Sequence, residues 1–109
     1  MITQRHVEYD GERILWRVVI GDVVALDVLT DRARLARAHA ALSAQSSPAV
    51  VEEQLGSFGP FAVTVSATAG NPDQAILSVD GPDLGRAFQG DQSIVFYLDK
   101  EDLLAALTV

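Results

Sequence analysis

The chain has 109 residues, 49% of them hydrophobic, with no cysteine and a net charge of −7. That hydrophobic content argues against disorder, and the length suits a single α+β domain over residues 1–109 that buries roughly two-thirds of its unfolded surface. Without cysteine there is no disulfide framework, thiolate metal site or cysteine nucleophile, which fits a reducing, cytoplasmic setting.

Residues 2–20 read as a β-hairpin. Asp10-Gly11 between two alternating runs is a two-residue turn signal, because both central residues of a type I′ turn need positive φ. That turn sets Tyr9 opposite Glu12, Glu8 opposite Arg13, Val7 opposite Ile14 and Arg5 opposite Trp16. One face then carries Val7, Ile14, Trp16, Val18 and Ile20; the other carries Gln4, His6, Glu8, Arg13, Leu15 and Arg17. The first ten residues hold no apolar leader segment, and no apolar run approaches the ~18 residues that span a bilayer. No membrane association is expected.

Gly21-Asp22 is a further turn signal. Val23–Val28 reads as a third strand rather than the start of a helix, since its β-branched residues are poor helix formers. Thr30 then supplies a fresh N-cap for a helix over Asp31–Ala44, rich in Ala, Leu and Arg. Leu35, Ala38 and Leu42 form its apolar stripe, flanked by Asp31 and His39. Arg34 and Arg37 lie on the far side as a small cationic face. Such a face either meets an acidic partner or is solvated and paired with nearby acids, and the second outcome is the commoner one.

Ser47-Pro48 as a start and Gly56 as a stop predict a short helix over Pro48–Leu55 carrying Glu52 and Glu53. With two glutamates and no base, it is no DNA-reading helix. Gly56–Pro60 reads as a loop. Phe61–Thr68 alternates as a half-buried strand with Phe61, Val63, Val65 and Ala67 inward. Gly70–Asp73 turns the chain into Gln74–Asp80, a strand with Ile76 and either Leu77 or Val79 inward, completing a second hairpin.

Gly81–Asp91 is a long loop holding Asp83, Arg86, Phe88 and Asp91. It lacks the Gly-Lys-Ser/Thr of a phosphate loop and the alternating ligands of a calcium loop. It is the candidate partner-binding loop, with Arg86 and Phe88 as anchors, because aromatics and Arg dominate binding hot spots. The competing reading tucks Phe88 and Leu84 into the edge of the core. Ser93–Leu98 is a near-continuous apolar run, the pattern of a central strand. Asp99 caps a closing helix over Lys100–Leu107, with Glu101 and Asp102 in its first turn. The expected architecture is a mainly antiparallel sheet of five or six strands built from two hairpins, with one long helix (about 31–44) and a short C-terminal helix on one face.

Charge is unevenly placed. Residues 1–45 balance six acids against six arginines, whereas residues 46–109 hold nine acids against Arg86 and Lys100. An acidic half disfavours direct nucleic-acid binding, where Lys and Arg neutralise phosphates, and favours a basic protein partner. The catalytic inventory is thin: two histidines, His6 and His39, neither in a His-Glu-x-x-His frame, and no residues spaced for a metal or cofactor. The leading reading is an acidic, non-catalytic interaction module, of inhibitor, immunity or accessory type. Its partner contacts are expected at Asp83, Arg86, Phe88 and Asp91, with Arg34 and Arg37 as a second patch. The alternative is a small enzyme or ligand binder using His6, His39 and Arg86 with nearby carboxylates. A second copy covering a free sheet edge is a third candidate partner.

Overall fold

The computed structural model describes residues 2–22, 24–43, 51–67, 72–81 and 92–108. Among these residues, seven strands and two helices follow one another as β1 (Ile2–Asp10), β2 (Arg13–Ile20), β3 (Val24–Asp31), α1 (Arg32–Ser43), β4 (Val51–Phe58), β5 (Phe61–Ala67), β6 (Gln74–Gly81), β7 (Gln92–Asp99) and α2 (Lys100–Leu107). The strands form one antiparallel sheet whose spatial order is the chain order. The fold is α+β as expected, with seven strands where five or six were anticipated. Side chains of α1 and α2 join those of one sheet face in a single buried cluster, so both helices lie on that inner face. α2 touches β1, β6 and β7, so the sheet curls until its first and last strands both meet the same helix.

The first hairpin forms, but in a register two residues away from the expected one. Asp10 pairs with Arg13, Tyr9 with Ile14, Glu8 with Leu15 and Val7 with Trp16. The turn is Gly11-Glu12. Gly11 has φ 63°, and no described non-glycine residue has positive φ, which is the requirement of a type II′ turn. A type I′ turn would force Asp10 into the left-handed region as well, so one strained residue is exchanged for none. A two-residue shift leaves the faces unchanged, because side chains alternate with period two. Ile14, Trp16 and Val18 are therefore buried as expected. The Glu8–Arg13 pair is lost: Glu8 faces Leu15, and Arg13 faces Asp10 on one side and Asp31 on the other.

On the outer face Arg17 stands opposite Asp27 and binds it through two hydrogen bonds, Nε to Oδ1 at 2.5 Å and Nη2 to Oδ2 at 2.9 Å. The hydrogen bonds from Arg17 hold the Asp27 carboxyl below the usual carboxylate range, against an opposing effect of desolvation. Asp27 hydrogen-bonding likewise raises the Arg17 guanidinium. Because the folded carboxyl titrates lower than the unfolded one, this pair's contribution is complete above the unfolded value. It fades as pH falls through the depressed value.

β3 is a strand, not an early helix, and ends at Asp31. The helix cap is Asp31 and not Thr30: Asp31 Oδ1 accepts from the Arg34 backbone N–H at 2.8 Å. Thr30 is 4% exposed, and its hydroxyl instead donates to Leu55 O at 2.5 Å. That bond crosses from β3 to β4, where the ladder is short, with Leu29 opposite Ser57. Thr30→Val keeps the shape but removes this donor from Leu55 O, and an expected loss of about 0.5–1.5 kcal/mol follows. Urea unfolding of the variant checks it; an unchanged midpoint would show that the hydroxyl adds nothing at this junction.

The helix expected over Pro48–Leu55 is not formed by residues 51–55; they belong to β4, and residues 44–50 lie outside the described ones. Gly56–Phe58, expected as a loop, continues the same strand. The local helix cues yield to pairing on both sides: β4 bonds β5 from Val51–Ala67 to Phe58–Phe61 and touches β3 at Leu29. The register of β4 shifts between Gln54 and Gly56, a bulge that leaves Leu55 fully buried. In β5, Val63, Val65 and Ala67 point into the core as expected. In β6 the inward set is Ala75, Leu77 and Val79; Ile76, expected inward, lies on the outer face.

β7 is not central. Among the described residues it is the last strand of the sheet, paired only with β6, and its apolar run leaves Ile94, Val95 and Tyr97 exposed. α2 begins after Asp99, which occupies the N-cap position with extended φ and ψ but makes no side-chain capping bond. The Lys100 N–H donates instead to Asp73 O at 2.9 Å. At the other end, the last carbonyls of α2 find partners one by one. Thr108 Oγ1 donates to Leu104 O at 3.0 Å, the Thr108 N–H to Ala105 O at 3.3 Å, and Trp16 Nε1 to Ala106 O at 2.7 Å. Arg5 of β1 donates to Thr108 O. The opening hairpin thus caps the closing helix.

Candidate functional site

Among the described residues, a concentration of unbalanced charge lies at the start of α2. The turn before β6 supplies Asp73, the end of β7 supplies Asp99, and the first helical turn supplies Glu101 and Asp102. They line a cleft of ≈ 450 Å³ in which Lys100 is the one cation among the described lining residues. Asp73, Asp99 and Glu101 are exposed and Asp102 is half-buried. The backbone bond from Lys100 to Asp73 O fastens the turn to the helix and fixes the spacing of these carboxylates. The helix dipole favours Glu101 and Asp102 where they stand. Asp73 sits beside them because Gln74 is paired with Asp99, a consequence of β6–β7 register. Nothing in the local sequence around Asp73 signals that neighbourhood.

A larger cleft of ≈ 580 Å³ opens at the head of α1. Its charges cancel, with Glu12 and Asp31 against Arg13 and Arg32. Arg32 lies over the Tyr9 ring at 5.1 Å from its centroid, a cation–π contact absent from the sequence reading. Of the two arginines expected as a cationic patch, Arg34 is engaged by Asp31 at 3.7 Å. Arg37 is exposed and makes no ion pair with a described residue. One of the two arginines of this face is therefore paired within the chain. Asp83, Arg86, Phe88 and Asp91 lie outside the described residues.

The two histidines are not brought together. His6 is on the outer face of β1, where Nε2 lies 3.1 Å from Glu8 Oε1, with both side chains more than half exposed. His39 is on α1, on the inner side of the sheet, 3.4 Å from Ser43 Oγ and beside a cleft with no Asp or Glu among its described lining residues. Among the described residues no three His, Asp or Glu side chains are placed to hold a metal ion. Among them, too, no helix is long and apolar enough to cross a membrane. Comparison of the chain with protein-family models, with curated proteins and with solved structures gives no match.

Proposed function

We propose that the chain is a small acidic, non-catalytic interaction module of the cytoplasm that docks a basic protein, as an inhibitor, an immunity-type antagonist or an accessory subunit. The observation that carries this reading is the cleft at the start of α2, where four carboxylates face one lysine. A surface of this kind suits Lys and Arg side chains of a partner. Long-range attraction speeds encounter, and the close carboxylates set orientation. Asp83 and Asp91, between β6 and β7 in the sequence, add to the chain's net negative charge. His6 and His39, on opposite sides of the sheet, lend the enzyme reading no support as a pair.

The test starts from a tagged chain that retrieves its partner from the native host. Asp73→Lys combined with Asp99→Lys is then expected to slow association about tenfold or more at low salt, with the gap closing as salt rises. Neither side chain makes a described hydrogen bond, so the unfolding free energy should fall by less than about 1 kcal/mol, the scale of a dipole effect at Asp99. An affinity indifferent to both substitutions and to salt would remove this surface from the proposal.

A further inference from the structure

We infer that β7 is a pairing edge for a second copy of this chain, joining two sheets into one across a two-fold axis. The two ends of the sheet differ in kind. β1 carries Arg5, His6, Glu8 and Asp10, the charges that usually guard an edge. β7 carries a single charged residue, Asp99, at its very end. Three of the six exposed large apolar side chains among the described residues stand on it: Ile94 at 45%, Val95 at 42% and Tyr97 at 63% exposure. Its composition is that of a strand with neighbours on both sides, while the described residues of the sheet provide a neighbour on one side only.

Charge selects the occupant. In a chain of net charge −7 this strand is almost neutral, so it offers little to steer a charged foreign segment and little to repel its own copy. A two-fold axis normal to the sheet requires one residue to face itself. With Phe96 in that position, Val95 faces the partner's Tyr97, Ile94 faces the partner's Leu98, and Asp99 faces the partner's Ser93. No charge meets its like directly across the pair. Aromatic against β-branched is a favourable cross-strand pairing. On the outer face Ile76 already lies opposite Tyr97 within the subunit, so the joined sheets would carry one continuous apolar strip. The inner faces stay on the same side, and the helices of both copies lie together.

Sedimentation velocity over a concentration series is expected to show a species of twice the 11.7 kDa chain mass. Val95→Lys with Tyr97→Lys should return it to the single-chain mass with melting retained. A gentler pair of variants tests the register itself. The parent has no cysteine, so Val95→Cys and Tyr97→Cys each introduce the only thiol. Facing residues are about 4.5–5.5 Å apart between Cα atoms, within disulfide reach, whereas diagonal ones are about 7–8 Å apart. Under diamide, a mixture of the two variants should cross-link at least tenfold more than either alone. A chain that stays single at every concentration overturns the inference, and so does cross-linking no better in the mixture than in the separate variants.

Discussion

Trp16→Ala is expected to cost about 3–5 kcal/mol, the range for removing a large buried aromatic. Against a typical domain stability of about 5–15 kcal/mol, that is a third or more of the whole. Trp16 is fully buried at the centre of β2, and its ring fills the space between the first hairpin and α2. Its Nε1 also satisfies Ala106 O, one of the carbonyls a helix end leaves without a partner. Trp16→Phe separates the two roles. It keeps much of the packing and deletes the donor, so an expected loss of about 1–3 kcal/mol remains. Urea unfolding followed by circular dichroism measures both variants, since the only tryptophan is removed in each. Equal midpoints for the phenylalanine variant and the parent would mean that Ala106 O needs no partner.

Gly56→Ala is expected to cost at least about 3 kcal/mol, the upper end of the range for overpacking. A Cβ at this position would drive into Leu29 O, and would sit 2.9 Å from Val28 Cγ1 and 3.1 Å from Leu29 C. The obstacle is backbone, so no rotamer change relieves it. The collision falls at the junction of β3 with β4, where the ladder is shortest and Thr30 reaches across to Leu55 O. Opening that junction would split β1–β3 from β4–β7, and amide exchange should therefore rise first at Leu29 and Ser57. A Gly56→Ala variant as stable as the parent would contradict so close an approach of the two strands.

How much of this was legible beforehand follows from the range of each interaction. Residue alternation within β2 named Ile14, Trp16 and Val18 as core, and the 3.6-residue period of α1 named Leu35, Ala38 and Leu42; all six are buried. These patterns survive because burial depends on period and not on register. The hairpin register slipped by two because Gly11 alone meets the demand for positive φ in a type II′ turn. The stretch containing Glu52 and Glu53 looked helical because Ser47-Pro48 and Gly56 are strong local cues. Pairing with β5 outweighs them, and no local cue reports that pairing. Thr30 and Asp31 are both good caps by type, and the choice between them was made by Leu55 O, distant in sequence. Of the site, Glu101 and Asp102 were visible as first-turn acids, but their meeting with Asp73 was not.

By itself, the sequence determined an acidic α+β chain with an amphipathic helix after β3, a closing helix after β7, and most of the inward-facing residues. Those are properties of spacing and composition, and short stretches carry them whole. Tertiary structure decided that β4 is a strand, that β7 stands at an edge, that α2 is capped by Trp16, and that four carboxylates share one cleft. Each of those is an encounter between segments far apart in the chain, and an encounter of that kind is set by which backbone groups and apolar faces remain unpaired once the local elements have formed.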